Sequence, residues 1–241
     1  MSVLMRRSAE RGFEDFGWTD NWLTFSFGGY RDPKWNNFGP LRVMIENHIQ
    51  PHQGFGAHSH RDVEIVTYVS AGTLTHKDSF GHTAGVSAGE IQVISAGSRG
   101  MIHSERNVHD EVEHNLQIWF IPEKFDTEFR YSQRGFTAEE RQGRFRLYAS
   151  HDEREGSMPI HSDVRVYAGL FAAGDRVEHE LERGRGAWVQ VVKGRVTVGG
   201  AVLEQGDGAG ITDAGSLGFE FHESSEVVLL DVRMSAHLIW R

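Results

Sequence analysis

Tyr68-Val-Ser-Ala-Gly72-Thr-Leu-Thr75, followed by Ala88-Gly89-Glu90 and Ala96-Gly97, decides the fold because the chain uses it twice. The echo is Gln190-Val-Val-Lys-Gly194-Arg-Val-Thr197, then Gln205-Gly206-Asp207 and Ala214-Gly215. Each copy is a strand, a glycine turn, a strand, a Gly-acid step into a further strand and an Ala-Gly turn, which makes one supersecondary unit. Outward from the copies, short runs rich in β-branched and aromatic residues recur at Leu41–Ile49, Val63–Ser70, Thr73–Lys77, Glu90–Ser95, His114–Ile121, Arg144–Ala149, Val164–Phe171, Ala187–Val192, Arg195–Val198 and Glu226–Val232. Glycine, at 28 residues against 5 prolines, falls between these runs and marks their turns. Helix signal is confined to Thr137-Ala-Glu-Glu-Arg141, where a capping Thr precedes two Glu. We place the boundary between the copies in the charged stretch Glu123–Arg144 around it. The expectation is an all-β chain with tandem units at residues 1–132 and 133–241.

Composition narrows the chemistry. The chain has 241 residues, 39% of them hydrophobic and 24% charged, enough to bury substantial cores. No run approaches the roughly 18 apolar residues of a membrane helix, and the N-terminal MSVLMRRSAERGFEDFG carries no apolar signal region. A cytoplasmic location is the expectation. Acidic residues outnumber basic ones 34 to 25, and Lys and Arg form no cluster, which argues against a nucleic-acid partner. Cysteine is absent, so disulfides, thiolate metal sites and Cys nucleophiles are excluded. Any metal must be held by nitrogen and oxygen. Histidine supplies the nitrogen, and nine of the 14 lie within residues 1–114.

The sharpest local pattern is Gly54-Phe-Gly-Ala-His58-Ser-His60-Arg-Asp-Val-Glu64. In a strand, residues i and i+2 share a face, so His58 and His60 present adjacent imidazoles. The segment Ala96-Gly97-Ser-Arg-Gly100-Met-Ile-His103-Ser-Glu105-Arg-Asn107 supplies a second such couple, His103 and Glu105. Three imidazoles and a carboxylate suit Fe(II), Mn, Ni, Co, Cu(II) or Zn. Glu64, four residues beyond His60, has the same strand parity and competes for the carboxylate position. The remaining histidines of this half, His48, His52, His76, His82, His109 and His114, are assigned structural or solvated roles, with His114 the candidate for supporting a ligand from behind.

These residues carry a family resemblance over nearly the whole chain. His58-Ser-His60-Arg-Asp-Val-Glu64 with Gly72 resembles the first cupin motif, and Gly89 through His103 to Asn107 the second. Trp22-Leu-Thr-Phe-Ser-Phe27, Tyr30-Arg-Asp-Pro33, Gly54–His60, His103-Ser-Glu105, Gln117-Ile-Trp119 and Trp188-Val-Gln-Val-Val-Lys-Gly194 are similar to the bacterial pirin-like proteins. The resemblance implies a bicupin, two β-barrels of jelly-roll type in tandem, with one divalent metal per chain in the first and a degenerate second. It implies His58, His60, His103 and Glu105 as ligands, with Fe(II) the first choice of metal. Two departures stand out: Leu23 where relatives commonly carry His, and Ser95 in place of the second motif's proline. In the second half, Glu178-His179-Glu180 and Glu182 occupy the neighbourhood of a first motif without its His-x-His pair.

The implied activity is quercetin 2,3-dioxygenation, in which Glu105 also takes the proton of a flavonol hydroxyl and carbon monoxide is released. Phe25, Phe27, Phe55, Met101, Ile118 and Phe120 are candidate pocket residues. The implied partners are a small flavonol-like aromatic and dioxygen, acting on a monomer. The alternative is a metal-dependent regulatory module that binds a protein partner without turnover, as eukaryotic pirins bind transcription factors.

Overall fold

The computed structural model describes residues 1–234. The expected second unit runs to residue 241, and its residues 235–241 lie outside the described range.

The first half contains β1 (Ser2–Arg6), β2 (Gly12–Asp15), β3 (Thr19–Leu23), β4 (Leu41–Ile49), β5 (Gly54–His60), β6 (Glu64–Ala71), β7 (Thr73–Asp78), β8 (Thr83–Ser87), β9 (Glu90–Ser95), β10 (Met101–Arg106), β11 (Glu113–Phe120) and β12 (Arg130–Gly135). The one α-helical turn among the described residues, α1 (Ala138–Arg141), starts at a capping box in which Thr137 and Glu140 satisfy each other's backbone N–H groups. The second half contains β13 (Arg146–Ser150), β14 (Met158–Pro159), β15 (Val164–Phe171), β16 (Arg176–Glu180), β17 (Arg185–Lys193), β18 (Arg195–Val198), β19 (Ala201–Glu204), β20 (Gly208–Thr212), β21 (Ser216–Phe221) and β22 (Ser225–Arg233).

The strands form two copies of one architecture, an all-β cupin arrangement. In the first, a seven-stranded sheet (β12-β9-β6-β11-β4-β3-β2) faces a four-stranded sheet (β5-β10-β7-β8). In the second, β1-β20-β17-β22-β15-β13-β14 faces β16-β21-β18-β19. No sheet closes on itself, so each unit is a flattened jelly-roll sandwich. β1 pairs with β20 and therefore lies in the second large sheet, in the edge place that β12 fills in the first. The repeated glycine turns sit at matching joints, Gly72 (φ 73°) between β6 and β7 and Gly194 (φ 89°) between β17 and β18. A side chain at Gly194 would also collide with Ser225.

The two large sheets pack face to face, which explains why their central strands are apolar on both sides. Met44, Val66, Tyr68, Leu116, Ile118 and Phe120 of the first sheet meet Tyr148, Val166, Trp188, Val228 and Leu230 of the second in one buried cluster. Phe25, Trp35 and Phe38 close its edge around Trp188, with ring centroids 5.1, 6.1 and 5.7 Å from the indole. Phe25, Ile118 and Phe120, expected at a substrate pocket, thus belong to the core between the halves.

The interiors of the two sandwiches differ. That of the second is one continuous apolar cluster, including Val191, Val196, Leu217, Phe219 and Phe221. That of the first is split into a group around Val63, Ile65, Ile94 and Met101 and another around Ile49, Val69, Leu74 and Val86. Buried polar side chains lie in the same interior, among them His76, Gln92, His103, Glu105, Asn115 and Gln117. Burial of so many polar groups requires partners or a ligand.

Candidate metal centre

β5 and β10 pair antiparallel with His103 directly opposite His58 and Met101 opposite His60. Strand alternation puts His60 on the same face as His58, so the three imidazoles form a triangle on one surface. Ring centroids lie 4.4 Å apart for His58 and His103, and 4.8 Å for each pair that includes His60. One donor atom from each falls within 4.8 Å of the others, close enough to share an ion.

The local backbone orients these rings. The ladder shifts register between His103 and Glu105, which leaves Gly56 and Ala57 of β5 opposite Ser104 alone. His58 Nδ1–H donates to the Gly56 carbonyl at 2.8 Å. Its Nε2 therefore presents a lone pair, facing His103 Nε2 at 2.9 Å. Burial, reinforced by the neighbouring imidazoles, lowers the pKa of His60 to about 4 and that of His103 to about 3. Two converging neutral nitrogens beside a carboxylate make a site that fits a divalent cation.

Glu105 Oε2 stands 3.8 Å from His103 Nε2. Its Oε1 accepts a 2.7 Å hydrogen bond from Gln117 Nε2, which reaches across from the large sheet. Trp119, two residues along the same face of β11, packs edge-on against His60 at 4.8 Å and against Phe27 at 5.0 Å. Phe55 lies 6.4 Å from His58. Of the expected pocket residues, Phe55 lies beside His58 and Met101 opposite His60, while Phe27 reaches the site through Trp119. Gln117 and Trp119 enter the sequence reading only as motif residues. The alternation Asn115, Gln117, Trp119 against Leu116, Ile118, Phe120 was the available signal for their facing. A groove of about 650 Å³ runs beside His60, lined also by Ser59, Arg61, Arg99, Met101 and Ile102.

The histidine behind the site is His76, in place of the expected His114. His76 lies opposite Glu105 on β7, fully buried, with its ring 5.4 Å from that of His103. Its Nε2 meets Asp78 Oδ2 at 3.0 Å, and Asp78 also bonds His82 at 3.0 Å. Burial opposes the charge of Asp78, but hydrogen bonds from His76, His82 and the Phe80 backbone outweigh it and hold the carboxyl below its ordinary pKa. His114 lies on the opposite face of the large sheet, against Ser70 and Glu46.

Glu64 is not in the site. β5 ends at His60 and β6 begins at Glu64 in the other sheet, with Asp62 at φ 55° in the turn between. Parity does not carry across that turn. The Glu64 carboxylate faces the second half, accepting from Ser95 Oγ at 2.7 Å and from the His161 backbone N–H at 3.0 Å. Burial raises its pKa to about 7. Ser95, the residue that departs from the motif proline, is thus a hydrogen-bond donor to Glu64.

The pirin family model matches residues 5–120, and the model of the quercetinase C-terminal cupin domain matches residues 147–232. A protein of Escherichia coli strain K12 named quercetin 2,3-dioxygenase is 41% identical over 231 residues, covering 95% of this chain and 98% of its own. The chain belongs to the pirin family. A Caulobacter vibrioides pirin-like protein is 37% identical, covering 91% of this pirin and 95% of its own length. The crystal structure of YhhW from Escherichia coli superposes with a TM-score of 0.92 at 40% identity, covering 98% of this chain and all of that one. Bacterial pirin YhhW in complex with nickel(II) gives a TM-score of 0.91 at 39% identity, covering 97% and 100%. In this pirin, no helix among the described residues is long and apolar enough to cross a membrane.

Among the described residues, the second sandwich presents no counterpart triangle. On β16 and β21, the strands matching β5 and β10, Val177 pairs with Phe219 and His179 with Leu217. Both groups of three potential metal ligands among the described residues lie in the first half.

Proposed function

We propose that this pirin is a metal-dependent dioxygenase that opens flavonols such as quercetin with dioxygen and releases carbon monoxide. The observation that carries the reading is the triangle of His58, His60 and His103 with Glu105 beside it, in a sandwich interior kept polar around them. The relative named quercetin 2,3-dioxygenase supports the substrate class. His58, His60 and His103 would hold the metal through ring nitrogens and Glu105 through Oε2. Fe(II) is our first choice for this donor set, and the nickel(II) complex of YhhW supports Ni(II) as a working alternative.

A bound divalent metal supplies Lewis acidity toward the substrate oxygen and an electron path between flavonol and dioxygen. The protein does the rest. Glu105 takes the proton of the flavonol hydroxyl, and Gln117 holds the other carboxylate oxygen so that the basic atom stays in place. Trp119, Phe27 and Phe55 give an aromatic wall that orients a planar substrate and limits water. His76 of β7 packs against the His103 ring, and Met101 of β10 lies opposite His60.

The test is oxygen uptake with quercetin after reconstitution with Fe, Mn, Ni, Co or Cu in turn. Equimolar loss of quercetin and dioxygen, with one carbon monoxide formed, is expected. No turnover with any of the five metals overturns the enzymatic reading in favour of a non-catalytic protein-binding module.

A further inference from the structure

A second group of nitrogen and oxygen donors lies on the opposite face of the same large sheet. Glu46 and His48 are i and i+2 on β4, and His114 of β11 is directly opposite His48. His114 Nε2 is 2.9 Å from Glu46 Oε1, and His48 Nε2 is 3.7 Å from the same oxygen. The donor atoms of all three lie within 4.8 Å of one another.

Ser70 Oγ lies 2.7 Å from His114 Nδ1 and 3.2 Å from the His114 carbonyl. The 2.9 Å between His114 Nε2 and Glu46 Oε1 is bridged either by one proton or by a metal ion. His48 Nε2 is buried without a hydrogen-bond partner, while its ring is held edge-on by Trp22 at 4.8 Å. The other charged groups are Arg11, whose guanidinium meets Glu46 Oε2 at 2.8 Å and leaves Oε1 to the histidines, and Asp20, paired in register with His48 on β3.

We propose that Glu46 Oε1, His48 Nε2 and His114 Nε2 form a second cation site, for a borderline divalent ion such as zinc(II). Tetrahedral zinc with bonds of about 2.0–2.1 Å places donors about 3.3 Å apart, between the two distances found at Oε1. Ser70 behind His114 is the kind of supporting partner that metal-bound imidazoles use. The Arg11 charge makes the site weaker than the three-histidine site, so it fills at higher zinc concentration. An ion here would tie β4 to β11 beside the N-terminal segment that carries Arg11.

The test counts zinc on the full chain by equilibrium dialysis with zinc(II) alone, followed by elemental analysis. The wild type is expected to take two ions, His48→Ala one, His58→Ala/His103→Ala one, and the combination of all three none. Retention of the other ion in each variant reports its fold, and His48→Ala removes a side chain whose Nε2 has no hydrogen-bond partner to orphan. Equal zinc content with and without His48, in both backgrounds, overturns the proposal and identifies the bridging cation as a proton. Loss of zinc only in His58→Ala/His103→Ala has the same meaning here while leaving the first site standing.

Discussion

Gln117→Leu removes a hydrogen bond that joins the two sheets at the carboxylate of the proposed first site. The bond is 2.7 Å long, charge-assisted, and made between side chains that are 8% and 4% exposed. Leucine has similar bulk and no donor. Hydrogen bonds to charged groups contribute about 1.5–3 kcal/mol, and water has little access to replace this one. At about 1.4 kcal/mol per tenfold, metal affinity should fall about 10- to 100-fold, the range seen when residues that orient metal ligands are lost. The assay is chelator competition with Ni(II) in a His48→Ala background, so that the ion counted belongs to the three-histidine site. A dissociation constant within twofold of the parent's, with an unchanged melting temperature, would refute the reasoning. Glu105 would then either not ligate or not depend on Gln117 for its position.

Three further outcomes follow from the same geometry. Glu105→Gln keeps shape and a carbonyl oxygen but loses the basic site, so turnover per bound metal should fall by about 10²–10⁴ while metal content falls less; Glu64→Gln should leave both nearly unchanged, and the reverse pattern would make Glu64 the ligand. Glu64 has a pKa of about 7 in the folded protein against 4.5 ordinarily, so the stability its neutral form contributes is complete below pH 4.5 and lost as pH rises through 7. That rise in pKa corresponds to about 3 kcal/mol, and Glu64→Gln should gain up to that amount on the wild type between pH 4.5 and 8 in urea unfolding; parallel curves would count against it. His60 and His103 are shifted the other way, from 6.5 to about 4 and 3, so metal-free protein should lose stability as pH falls from 6.5 toward 4, and a flat melting profile there would contradict their burial as neutral rings.

Local periodicity made part of this architecture readable and tertiary register hid the rest. His58, His60 and His103 are visible in sequence because each couple sits within one strand, where parity holds. Glu64 misleads because parity is counted through Asp62, whose positive φ ends one strand and redirects the chain into the other sheet. His48 and His114 look scattered because 66 residues separate two partners that face each other only through the β4–β11 register. β20, Gly208-Ala-Gly-Ile-Thr, lacks a strand's usual residues, and the reason is packing. Side chains at Gly208 and Gly210 would run into Trp188 and Phe38, so glycine there admits the large rings of the core between the halves. β12, Arg130-Tyr-Ser-Gln-Arg-Gly135, is polar and sits at a sheet edge, where charge and polarity guard an unpaired ladder.

One strand order used twice yields two different interiors, and among the described residues only the first gathers three imidazoles on one face. In the first sandwich the imidazole nitrogens and the Glu105 carboxylate converge without enough donors among themselves. In the second, the matching strands carry Val177, Leu217 and Phe219, and the buried acid Asp231 is already answered by Arg165 at 3.2 Å and by Arg185. Arg185 also binds Asp163, and Arg165 binds Glu182 at 2.7 Å, so the guanidinium groups supply the positive charge. Direct hydrogen bonds from these guanidinium groups satisfy the carboxylates without a metal. What the second half gives the first is a cover. Its large sheet buries the back of β6 and β11, and the His161 N–H holds Glu64 there, so the strands that position Gln117 and Trp119 are packed on both faces. The second sandwich thus acts on the candidate site through the rigidity of those strands.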